Sequence, residues 1–490
     1  MQEMRENKEL STDPFLKSFS LGTLWRLLRY PVLALSVIII PGMMGPETYG
    51  KFAVFMSIYV ICEALTELGV VQVFGRFIPE FPEHEQQNLS QFLQGMLLYC
   101  LIITLVIIGL AGVALLFFHP SFFSPAWLLV LCLVMFFGKL QGTLFAFIYG
   151  RNEIGRFSAR DLMRTLFRFI FVILFFKFFG LEGALWALVI NELILLGVGI
   201  YWTKDYLFQK IASLKFSYFK PYILFGLTFF VPTFLLGILR GSGNVFINIL
   251  THSTVQVSYF DIANQFLQLT GTFLTLILAA LVPVLTRFYI QGQQEKVQEW
   301  LGIALAYCGI GAFIIYNLLV FLGKHVILLV LNTSFLEVYP NAVILEISII
   351  PMLIGGIGFN LSLIKKEPRV FLISVLIGVL AMIALFGLLI PCMGAIGASW
   401  ATVLGYSAYA LVFYINYRKE MTAIIKRFLV VIAVFCVLAV FYSLNVDLAI
   451  SIVLCIGTSV IGVFVLLLLK VVSIKHLKIL WRAFKAHPAP

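Results

Sequence analysis

Two ten-residue stretches, GLEGALWALV at residues 180–189 and GAIGASWATV at residues 394–403, follow one pattern, G-x-x-G-A-x-W-A-x-V. They lie 214 positions apart in a chain of 490 residues. Glycine and alanine let neighbouring helices approach each other closely, so each stretch is typical of the start of a tightly packed helix. The repetition indicates that the chain contains two copies of one folding unit.

The composition is that of a polytopic membrane protein. Hydrophobic residues make up 61% of the chain and charged residues 12%, whereas soluble domains are about 45–50% apolar and about 25% charged. No signal peptide is predicted, because the first 23 residues are polar and mixed in charge. About 20 mainly apolar residues cross a bilayer as a helix. Such windows occur about fourteen times, at roughly residues 21–44, 50–73, 93–118, 124–149, 160–179, 182–202, 220–250, 255–286, 299–322, 336–362, 369–390, 395–416, 425–443 and 447–470.

The basic residues predict the orientation of these spans. If the N-terminus lies in the cytoplasm, 28 of the 34 lysines and arginines fall in cytoplasmic segments and the adjoining helix turns. This asymmetry is the positive-inside pattern, and it favours an even number of spans with both termini in the cytoplasm. The net charge of +11 therefore does not require a nucleic-acid partner.

Two further echoes support the internal repeat. Arg76-Phe77 is echoed by Arg287-Phe288, and the start of span 2 at residues 49–52 resembles the start of span 8 at residues 257–260. Because each copy holds six spans, both copies have the same orientation, which implies a pseudo-twofold axis along the membrane normal. The predicted organisation is a cytoplasmic N-terminus (1–20), an N-lobe (21–202), a cytoplasmic linker (203–219), a C-lobe (220–416), two further helices (417–470) and a basic cytoplasmic tail (471–490).

Polar residues inside the spans are candidates for function, because burying them in a membrane is expensive. Arginine binds phosphate through two parallel hydrogen bonds, amide side chains suit sugar hydroxyls, and apolar helices suit a lipid tail. A lipid-linked saccharide has all three parts. The candidates for the substrate cavity are Arg26, Arg29, Arg240, Asn244, Asn248, Gln265 and Gln268. The candidates for ion coupling or charge pairing are Glu63, Glu67 and Asp261.

Simpler roles are open for several basic residues. Arg26 and Arg29 lie on one face of span 1, where they would also be able to extend to the cytoplasmic interface. For Arg164 and Arg168, extension to the interface or binding of lipid headgroups is the favoured interpretation. None of these alternatives needs a substrate.

Other positions inside the spans predict local structure. Lys139, Glu192 and Glu346 are deep but isolated in sequence, and structural pairing is expected for each. Gly241 and Gly243 are expected to break the helix of span 7 and to release backbone carbonyls.

Enzymatic motifs are missing from the sequence. It contains no G-x-x-x-x-G-K-[ST] loop for ATP, no G-x-S-x-G and no H-E-x-x-H. It also has no large outer loop with paired acidic residues. No cofactor, metal site or catalytic residue is therefore predicted, apart from a possible coupling proton or Na⁺, although a membrane-embedded enzyme of glycan assembly remains an alternative.

Four stretches resemble one protein family. The run GPETYGKFAVF (45–55) and the following ALTELGVVQVFGRFIPEF (64–81) are similar to the opening of bacterial polysaccharide flippases. The longer forms of the repeated stretch, GLEGALWALVINE (180–192) and GAIGASWATVLGY (394–406), are similar to helix starts in the same family. These are the O-antigen and oligosaccharide-lipid flippases of the multidrug/oligosaccharidyl-lipid/polysaccharide exporter (MOP) superfamily.

The resemblance implies a two-lobed flippase that moves polyprenyl-diphosphate-linked oligosaccharide to the outer leaflet by alternating access. It implies a cationic cavity, to which Arg26, Arg29 and Arg240 would contribute, and an ion gradient or membrane potential as the energy source. It implies glycosyltransferases, a polymerase and a chain-length regulator as partners. Members of the family often carry an acidic residue near the middle of span 7, where this chain has Gly243-Asn244-Val245.

Two other transport functions remain open at this stage. One is a cation-coupled multidrug antiporter of the same superfamily, and the other is a flippase for lipid-linked peptidoglycan precursor. The antiporter would be expected to have buried acids in its N-lobe and fewer arginines, whereas this chain has both kinds of charge.

Overall fold

The computed structural model describes residues 14–81, 86–118, 124–209, 216–365, 367–422, 425, 433, 437 and 447–468. The described chain is helical and contains no strand. Its helices are α1 Pro14–Glu67, α2 Val70–Phe77, α3 Gln86–Phe118, α4 Pro125–Gly150, α5 Ile154–Leu207, α6 Phe216–Thr251, α7 Thr254–Ile290, α8 Gln294–Val330, α9 Val338–Glu346, α10 Ile349–Ile364, α11 Pro368–Asn416 and α12 Leu448–Leu468. Single 3₁₀ turns occupy Ile78–Glu80 and Thr333–Phe335.

Eight helical segments in the described part of the chain are long and apolar enough to cross a membrane. Three helices, α1, α5 and α11, contain 54, 54 and 49 residues. At about 1.5 Å per residue, each of them is roughly two and a half times as long as the thickness of the hydrocarbon core of a bilayer, about 30 Å. The predicted all-α polytopic fold is confirmed. The number fourteen is approximate, because predicted span 13 (425–443) lies almost wholly outside the described residues.

A glycine bends each of these three long helices near its middle. The bends lie at Gly45 (φ 73°, ψ 164°), Gly180 (φ 63°, ψ −149°) and Gly394 (φ 59°, ψ −132°). This backbone region is essentially open to glycine alone, because a side chain would clash with its own backbone there. Gly180 and Gly394 are the first residues of the two repeated stretches, so each stretch begins at the turn between two crossing segments.

The second glycine of each repeated stretch lets the chain fold back closely after the bend. A Cβ atom at Gly183 would lie 2.4 Å from the backbone oxygen of Phe175. A Cβ atom at Gly397 would lie 2.3 Å from the backbone oxygen of Leu389. Both distances are far below van der Waals contact, and backbone atoms cannot move aside as a flexible side chain can. The repeated stretch therefore encodes the same glycine-dependent turn twice.

Contacts within the chain divide it into two compact units. Unit 1 contains the described parts of residues 1–36 and 55–237, and unit 2 contains those of residues 37–54 and 238–488. These bounds do not follow the predicted lobes, because residues 37–54 group with unit 2 and residues 220–237 group with unit 1. The predicted division into two six-helix lobes stays a prediction.

Close backbone packing explains why residues 37–54 group with unit 2 and residues 220–237 group with unit 1. A Cβ atom at Gly50 would lie 1.8 Å from the backbone oxygen of Thr254, so the second half of α1 lies directly against the start of α7 in unit 2. A Cβ atom at Gly226 would lie 2.7 Å from the backbone oxygen of Leu68, so the first half of α6 lies against the end of α1 in unit 1. Only glycine permits such approaches.

Each unit has a packed interior of its own. In unit 1, the ring of Phe74 meets those of Phe92 and Phe147 edge to face, at centroid distances of 5.4 and 5.8 Å. In unit 2, the buried Asn317 of α8 donates hydrogen bonds to the backbone oxygen of Cys455 (2.9 Å) and to Ser459 Oγ (2.6 Å) on α12. Helix α12 is therefore bound to α8 by polar contacts as well as by apolar packing.

Candidate functional site

Polar side chains gather in one cluster in each compact unit. We call the cluster in unit 1 the ionic cluster, and its members are Arg29, Tyr59, Glu63, Gln141, Arg160, Asp161, Arg164, Arg168 and Glu192. We call the cluster in unit 2 the amide cluster, and its members are Tyr49, Asn244, Asp261 and Gln265. The two differ in how their carboxylates are compensated.

Arg164 of α5 is the centre of the ionic cluster. Its Nε donates to Glu192 Oε1 at 2.9 Å, and its Nη2 donates to Glu63 Oε1 at 2.8 Å and to the hydroxyl of Tyr59 at 2.6 Å. Glu192 is only 1% exposed, and the Arg164 side chain is 17% exposed. Charges that are removed from water must be paired and hydrogen-bonded, and Arg164 satisfies this requirement for two carboxylates at once.

A second row of contacts holds this centre in place. Gln141 of α4 donates through Nε2 to Glu192 Oε2 at 2.8 Å, and Arg160 Nε donates to Gln141 Oε1 at 3.0 Å. Arg160 Nη1 also pairs with Asp161 Oδ1 at 3.0 Å, and its guanidinium lies over the ring of Phe145 at 5.6 Å from the centroid. Both oxygens of the buried Glu192 are therefore occupied.

Two arginines of the ionic cluster keep donor capacity. Arg29 Nε donates to Thr165 Oγ1 at 3.0 Å, a neutral acceptor. Arg168 Nη2 lies 3.9 Å from Glu192 Oε1, at the limit of an ion pair, and its buried Nε has no hydrogen-bond partner. Four arginines here face three carboxylates, because Asp161 and the two glutamates are the acids that pair with this cluster in the described part of the chain. The cluster therefore has an excess of positive charge.

The structure separates the predicted residues of unit 1. Arg29 and Glu63 lie in the ionic cluster. Arg26, three residues from Arg29, is exposed and makes no ion pair within the described chain. Glu67 accepts a hydrogen bond from Lys139 Nζ through its backbone oxygen, at 3.1 Å, rather than through its carboxylate.

The interpretation that Arg164 and Arg168 extend to the membrane surface is wrong for Arg164, which is paired inward. The predicted site also omitted Tyr59, Arg160 and Glu192. A signal was available, because residues 160, 164 and 168 recur every four positions and therefore lie on one face of a helix. The two glutamates that pair with Arg164 lie on two other crossing segments, so spacing along the sequence does not show that pairing.

The amide cluster surrounds Asp261 of α7 with neutral donors. Tyr49 of α1 donates its hydroxyl to Asp261 Oδ2, and Asn244 of α6 donates through Nδ2 to Oδ1, each at 2.6 Å. Gln265 Nε2 donates to Asp261 Oδ2 at 2.6 Å and to the Tyr49 oxygen at 2.7 Å. Asp261 forms no ion pair with any basic residue in the described part of unit 2. Three segments are thus joined by hydrogen bonds to one carboxylate.

The expected break of span 7 at Gly241 and Gly243 is wrong. Helix α6 runs without interruption from Phe216 to Thr251, and the ring of Phe260 occupies the space at Gly243, where an added Cβ would lie 2.4 Å from it. The glycine serves close packing against α7. Asn248, another predicted cavity residue, is half-buried one turn beyond Asn244.

Three further polar residues of unit 2, Arg240, Gln268 and Tyr406, lie close to one another. The hydroxyl of Tyr406 on α11 faces both the Gln268 amide of α7 and the Arg240 guanidinium of α6. Neither that hydroxyl nor Gln268 Nε2 has a hydrogen bond of acceptable geometry, although both atoms are buried. Tyr406 is 4% exposed, whereas Arg240 is exposed. We call these three residues the Tyr406 group.

Glu346 is a buried carboxylate of unit 2 that has Thr270 as a hydrogen-bond partner and no cationic partner in the described chain. It ends α9, is 1% exposed, and its Oε1 has no hydrogen-bond partner. No lysine, arginine or histidine of the described chain forms an ion pair with it, so the structural pairing expected from the sequence is not found. No group of three His, Cys, Asp or Glu side chains suited to a metal occurs among the described residues.

Solved structures define the class of this fold. The lipid II flippase MurJ, in an inward closed conformation, matches with a TM-score of 0.65 and 15% identity, over 91% of this chain and 98% of that chain. An inward-facing multidrug resistance MATE family transporter of the MOP superfamily matches with a TM-score of 0.58 and 15% identity, over 81% and 96%. The Vibrio cholerae MATE transporter VcmN matches with a TM-score of 0.52 and 13% identity, over 83% and 98%. The fold is therefore that of membrane transporters and not that of enzymes.

The sequence then places the chain within this class. A family model described as polysaccharide biosynthesis protein matches residues 15–289. That is more than half of the chain, and the protein belongs to this family. A search of curated protein sequences finds no match.

Proposed function

We propose that this protein is a flippase that translocates polyprenyl-diphosphate-linked oligosaccharide from the cytoplasmic to the outer leaflet of the inner membrane. The cargo would be an O-antigen unit or another surface polysaccharide repeat unit. The observation that carries the proposal is membership of a polysaccharide biosynthesis family by a chain with a transporter fold. A biosynthetic protein built as a transporter moves an intermediate rather than making one.

The charge of the ionic cluster supports an anionic head group on the cargo. Arg29 and Arg168 retain donor groups that no carboxylate of the described chain occupies. A diphosphate offers several acceptor oxygens, and arginine binds such groups through paired hydrogen bonds. The carboxylates of the cluster hold Arg164 and Arg160, which leaves Arg29 and Arg168 available for the diphosphate.

Transport would proceed by alternating access between two lobes, with predicted boundaries 21–202 and 220–416 and both termini in the cytoplasm. The sequence has no ATP-binding loop, so an ion gradient or the membrane potential would drive the cycle. Glycosyltransferases that complete the lipid-linked unit, a polymerase and a chain-length regulator would be its functional partners.

A second cargo of the same chemistry is favoured by the match to MurJ, whose name gives lipid II as its substrate. A peptidoglycan precursor and an oligosaccharide repeat unit share the polyprenyl diphosphate, so the ionic cluster suits both. A cation-coupled multidrug antiporter is the alternative that the MATE matches favour.

Reconstituted protein tests the proposal directly. Liposomes would hold a fluorescent polyprenyl-diphosphate oligosaccharide, and its exposure in each leaflet would be followed with and without an ion gradient. We expect protein-dependent translocation, reduced about tenfold or more by Arg168→Gln. Arg29→Gln should also be slow, whereas Arg156→Gln, on the same helix as Arg168 but exposed and paired with Glu153, serves as the matched control and should transport normally.

Two results would contradict the proposal. One is wild-type protein that moves no glycolipid but exchanges an organic cation for protons or Na⁺, which would establish the antiporter. The other is glycolipid transport that is equally slow in the Arg156 and Arg168 variants, which would show that the ionic cluster does not bind the diphosphate.

A further inference from the structure

We propose that Glu346 of α9 binds and releases the proton that drives transport, so that the coupling ion is H⁺ and not Na⁺. This inference rests on the proposed function, which leaves the ion open, and it assigns the coupling to one residue of unit 2. Glu346 lies in predicted span 10 (336–362). It is not among the acids that the sequence suggests for ion coupling, which are Glu63, Glu67 and Asp261.

Glu346 lacks the partners that an ionised carboxylate needs inside a membrane. It is 1% exposed, its Oε1 has no hydrogen-bond partner, and its carboxyl group is hydrogen-bonded to Thr270 of α7. Burying a charge without a counter-ion is costly, so such a group takes up a proton instead. The surroundings therefore favour the neutral acid.

The charged residues on the neighbouring helices do not change this result. Helices α7, α8 and α11 pack against α9, and burial and Thr270 are the only influences on the Glu346 carboxyl group within the described part of the chain. No influence comes from the tyrosines and cysteines of those helices or from their described charged and imidazole side chains, which are Asp261, Glu295, Lys296, Glu299, Lys324, His325 and Arg369. Glu346 is therefore able to gain or lose a proton independently of them.

The hydroxyl of Thr270 gives a second reason for a proton on Glu346. This hydroxyl donates to the backbone oxygen of Phe266 at 3.2 Å, and a threonine hydroxyl has one proton to donate. Toward Glu346 it is therefore an acceptor, which a carboxyl group can satisfy only when it is protonated. Glu346 then donates to Thr270, and Thr270 donates to Phe266.

Other buried acids of the described chain are stabilised as anions. Glu63 and Glu192 pair with Arg164, and Asp261 accepts hydrogen bonds from three neutral donors. A site that carries a proton through a cycle must bind it in one state and release it in another. A carboxylate that fixed partners hold in the charged form does not bind a proton, whereas Glu346 has no such partners.

The backbone next to Glu346 departs from the α-helix. Helix α9 ends at Glu346 and α10 begins at Ile349. The N–H groups of Ile347, Ser348 and Ile350 each donate to the oxygen three residues earlier, at 3.1, 2.8 and 3.2 Å. Such tightened turns within a span often mark a functional hinge, and interrupted helices form ion sites in many transporters. A change at this turn would move the carboxyl group between its buried position and water, which proton exchange requires.

A proton fits this position better than Na⁺ does. Hard cations bind through several oxygen ligands that surround them, whereas a proton forms one O–H bond on a carboxyl group that is already in place. In the cycle, a proton from the outer side would bind to a Glu346 oxygen and would be released to the cytoplasm. The lipid-linked cargo would move in the opposite direction.

Transport in liposomes tests the coupling. Translocation of a fluorescent polyprenyl-diphosphate oligosaccharide would be followed under a pH gradient alone and under a Na⁺ gradient alone. A gradient of one pH unit should accelerate the wild-type protein by up to about tenfold, because it changes the proton free energy by a factor of ten in concentration. The Na⁺ gradient should have no effect.

Two variants complete this test. Glu346→Gln has the shape of the protonated acid but cannot exchange a proton, so the acceleration by the pH gradient should be lost. Glu337→Gln, an exposed position directly before the same helix, is the matched control and should keep the acceleration. Wild-type transport that responds to Na⁺, or acceleration by the pH gradient that persists in Glu346→Gln, would overturn the proposal.

Infrared spectroscopy detects the proton on Glu346 without transport. At neutral pH the wild-type protein should show the C=O stretch of a protonated carboxylic acid, which Glu346→Gln should lack. The absence of this band from the wild-type protein would overturn the inference and leave the proposed flippase in place. If the protein moves no glycolipid but exchanges an organic cation, the proposed flippase fails. The response of that exchange to the pH gradient in wild type and Glu346→Gln would then still decide the inference.

Discussion

The ionic cluster of unit 1 and the amide cluster of unit 2 stabilise buried carboxylates in opposite ways. In unit 1, the buried Glu192 forms an ion pair with Arg164, which compensates the charge of this carboxylate. In unit 2, Asp261 receives hydrogen bonds from a phenol and two amides and pairs with no cation in the described chain. The four arginines of the ionic cluster outnumber its three acids, so the proposed function places the additional anion there.

This difference has an energetic consequence. Removing one partner of a buried ion pair leaves an uncompensated charge and typically costs about 3–5 kcal/mol. Removing one of several neutral donors leaves the others in place and typically costs about 0.5–1.5 kcal/mol, and more when the acceptor is charged. Variants that break an ion pair of the ionic cluster should therefore lose more stability than variants that remove one donor from the amide cluster.

The largest difference is expected between two equally buried glutamates. Glu192→Gln should strongly destabilise the protein, because Arg164 would lose its most buried carboxylate partner. Glu346→Gln should be nearly neutral or stabilising, because no cation of the described chain pairs with Glu346. Thermal unfolding of the purified protein in detergent measures both. Equal losses would show that burial matters here and charge pairing does not.

The repeated turn gives the next largest effect. Gly183→Ala and Gly397→Ala should each destabilise the protein by about 1–3 kcal/mol, because the added Cβ meets a backbone oxygen that cannot move aside. Gly197→Ala and Gly387→Ala are matched controls on the same two helices, where nothing lies within 4 Å of an added Cβ. They should be neutral or stabilising, because alanine favours helix by about 1 kcal/mol over glycine.

Thermal unfolding of these four variants also compares the two copies of the repeat. If the turns are equivalent, Gly183→Ala and Gly397→Ala should lower stability to a similar extent. A large effect in one copy and none in the other would contradict the interpretation that both stretches encode the same turn.

Two tyrosines sharpen the comparison between the clusters. Tyr49→Phe removes a donor from Asp261, a carboxylate without a cationic partner, and should cost about 1–2 kcal/mol. Tyr59→Phe removes an acceptor from Arg164, which keeps both of its carboxylates, and should cost less. Chemical denaturation of the two variants in parallel decides the order. A larger loss for Tyr59→Phe would mean that the amide cluster is the more tolerant of the two.

The smallest effect is expected for an ion pair outside the membrane-spanning segments. Partial burial raises the pKa of Glu420, but the hydrogen bond from Lys365, a backbone hydrogen bond and the charges of Lys365 and Lys419 together outweigh burial and lower that pKa below its usual value of 4.5. The pair therefore stabilises the protein above about pH 4.5, and this contribution is lost as the pH falls through the lowered pKa.

Glu420→Gln measures that contribution. The wild-type protein should exceed the variant in stability by no more than about 1 kcal/mol at pH 7, because partly exposed pairs contribute little. The difference should disappear as the pH falls through the lowered pKa of Glu420, because the carboxylate of the native protein then becomes protonated. A stability difference that grows at low pH would mean that the pKa of Glu420 is raised in the native protein and not lowered.

The sequence by itself determined the class of this protein. Its composition requires a membrane, its apolar windows give an all-α polytopic fold, and the repeated glycine pattern marks the starts of two helices, which follow the bends at Gly180 and Gly394. These features depend on residues close together in the chain, since hydropathy and backbone conformation are local properties. The same local reasoning failed at Gly243, because the ring that fills its space belongs to another helix.

Only the tertiary structure decided which polar residues act together. Arg29, Glu63 and Asp261 were recognised as unusual in a membrane, but their partners were not. Glu63 pairs with a residue 101 positions away, and Tyr49 donates to one 212 positions away. Such contacts are set by how separate helices pack and turn about their axes, which hydropathy and spacing do not specify. The sequence therefore shows that buried charge is present, and the packing of the helices determines whether that charge is neutralised or left available to a ligand.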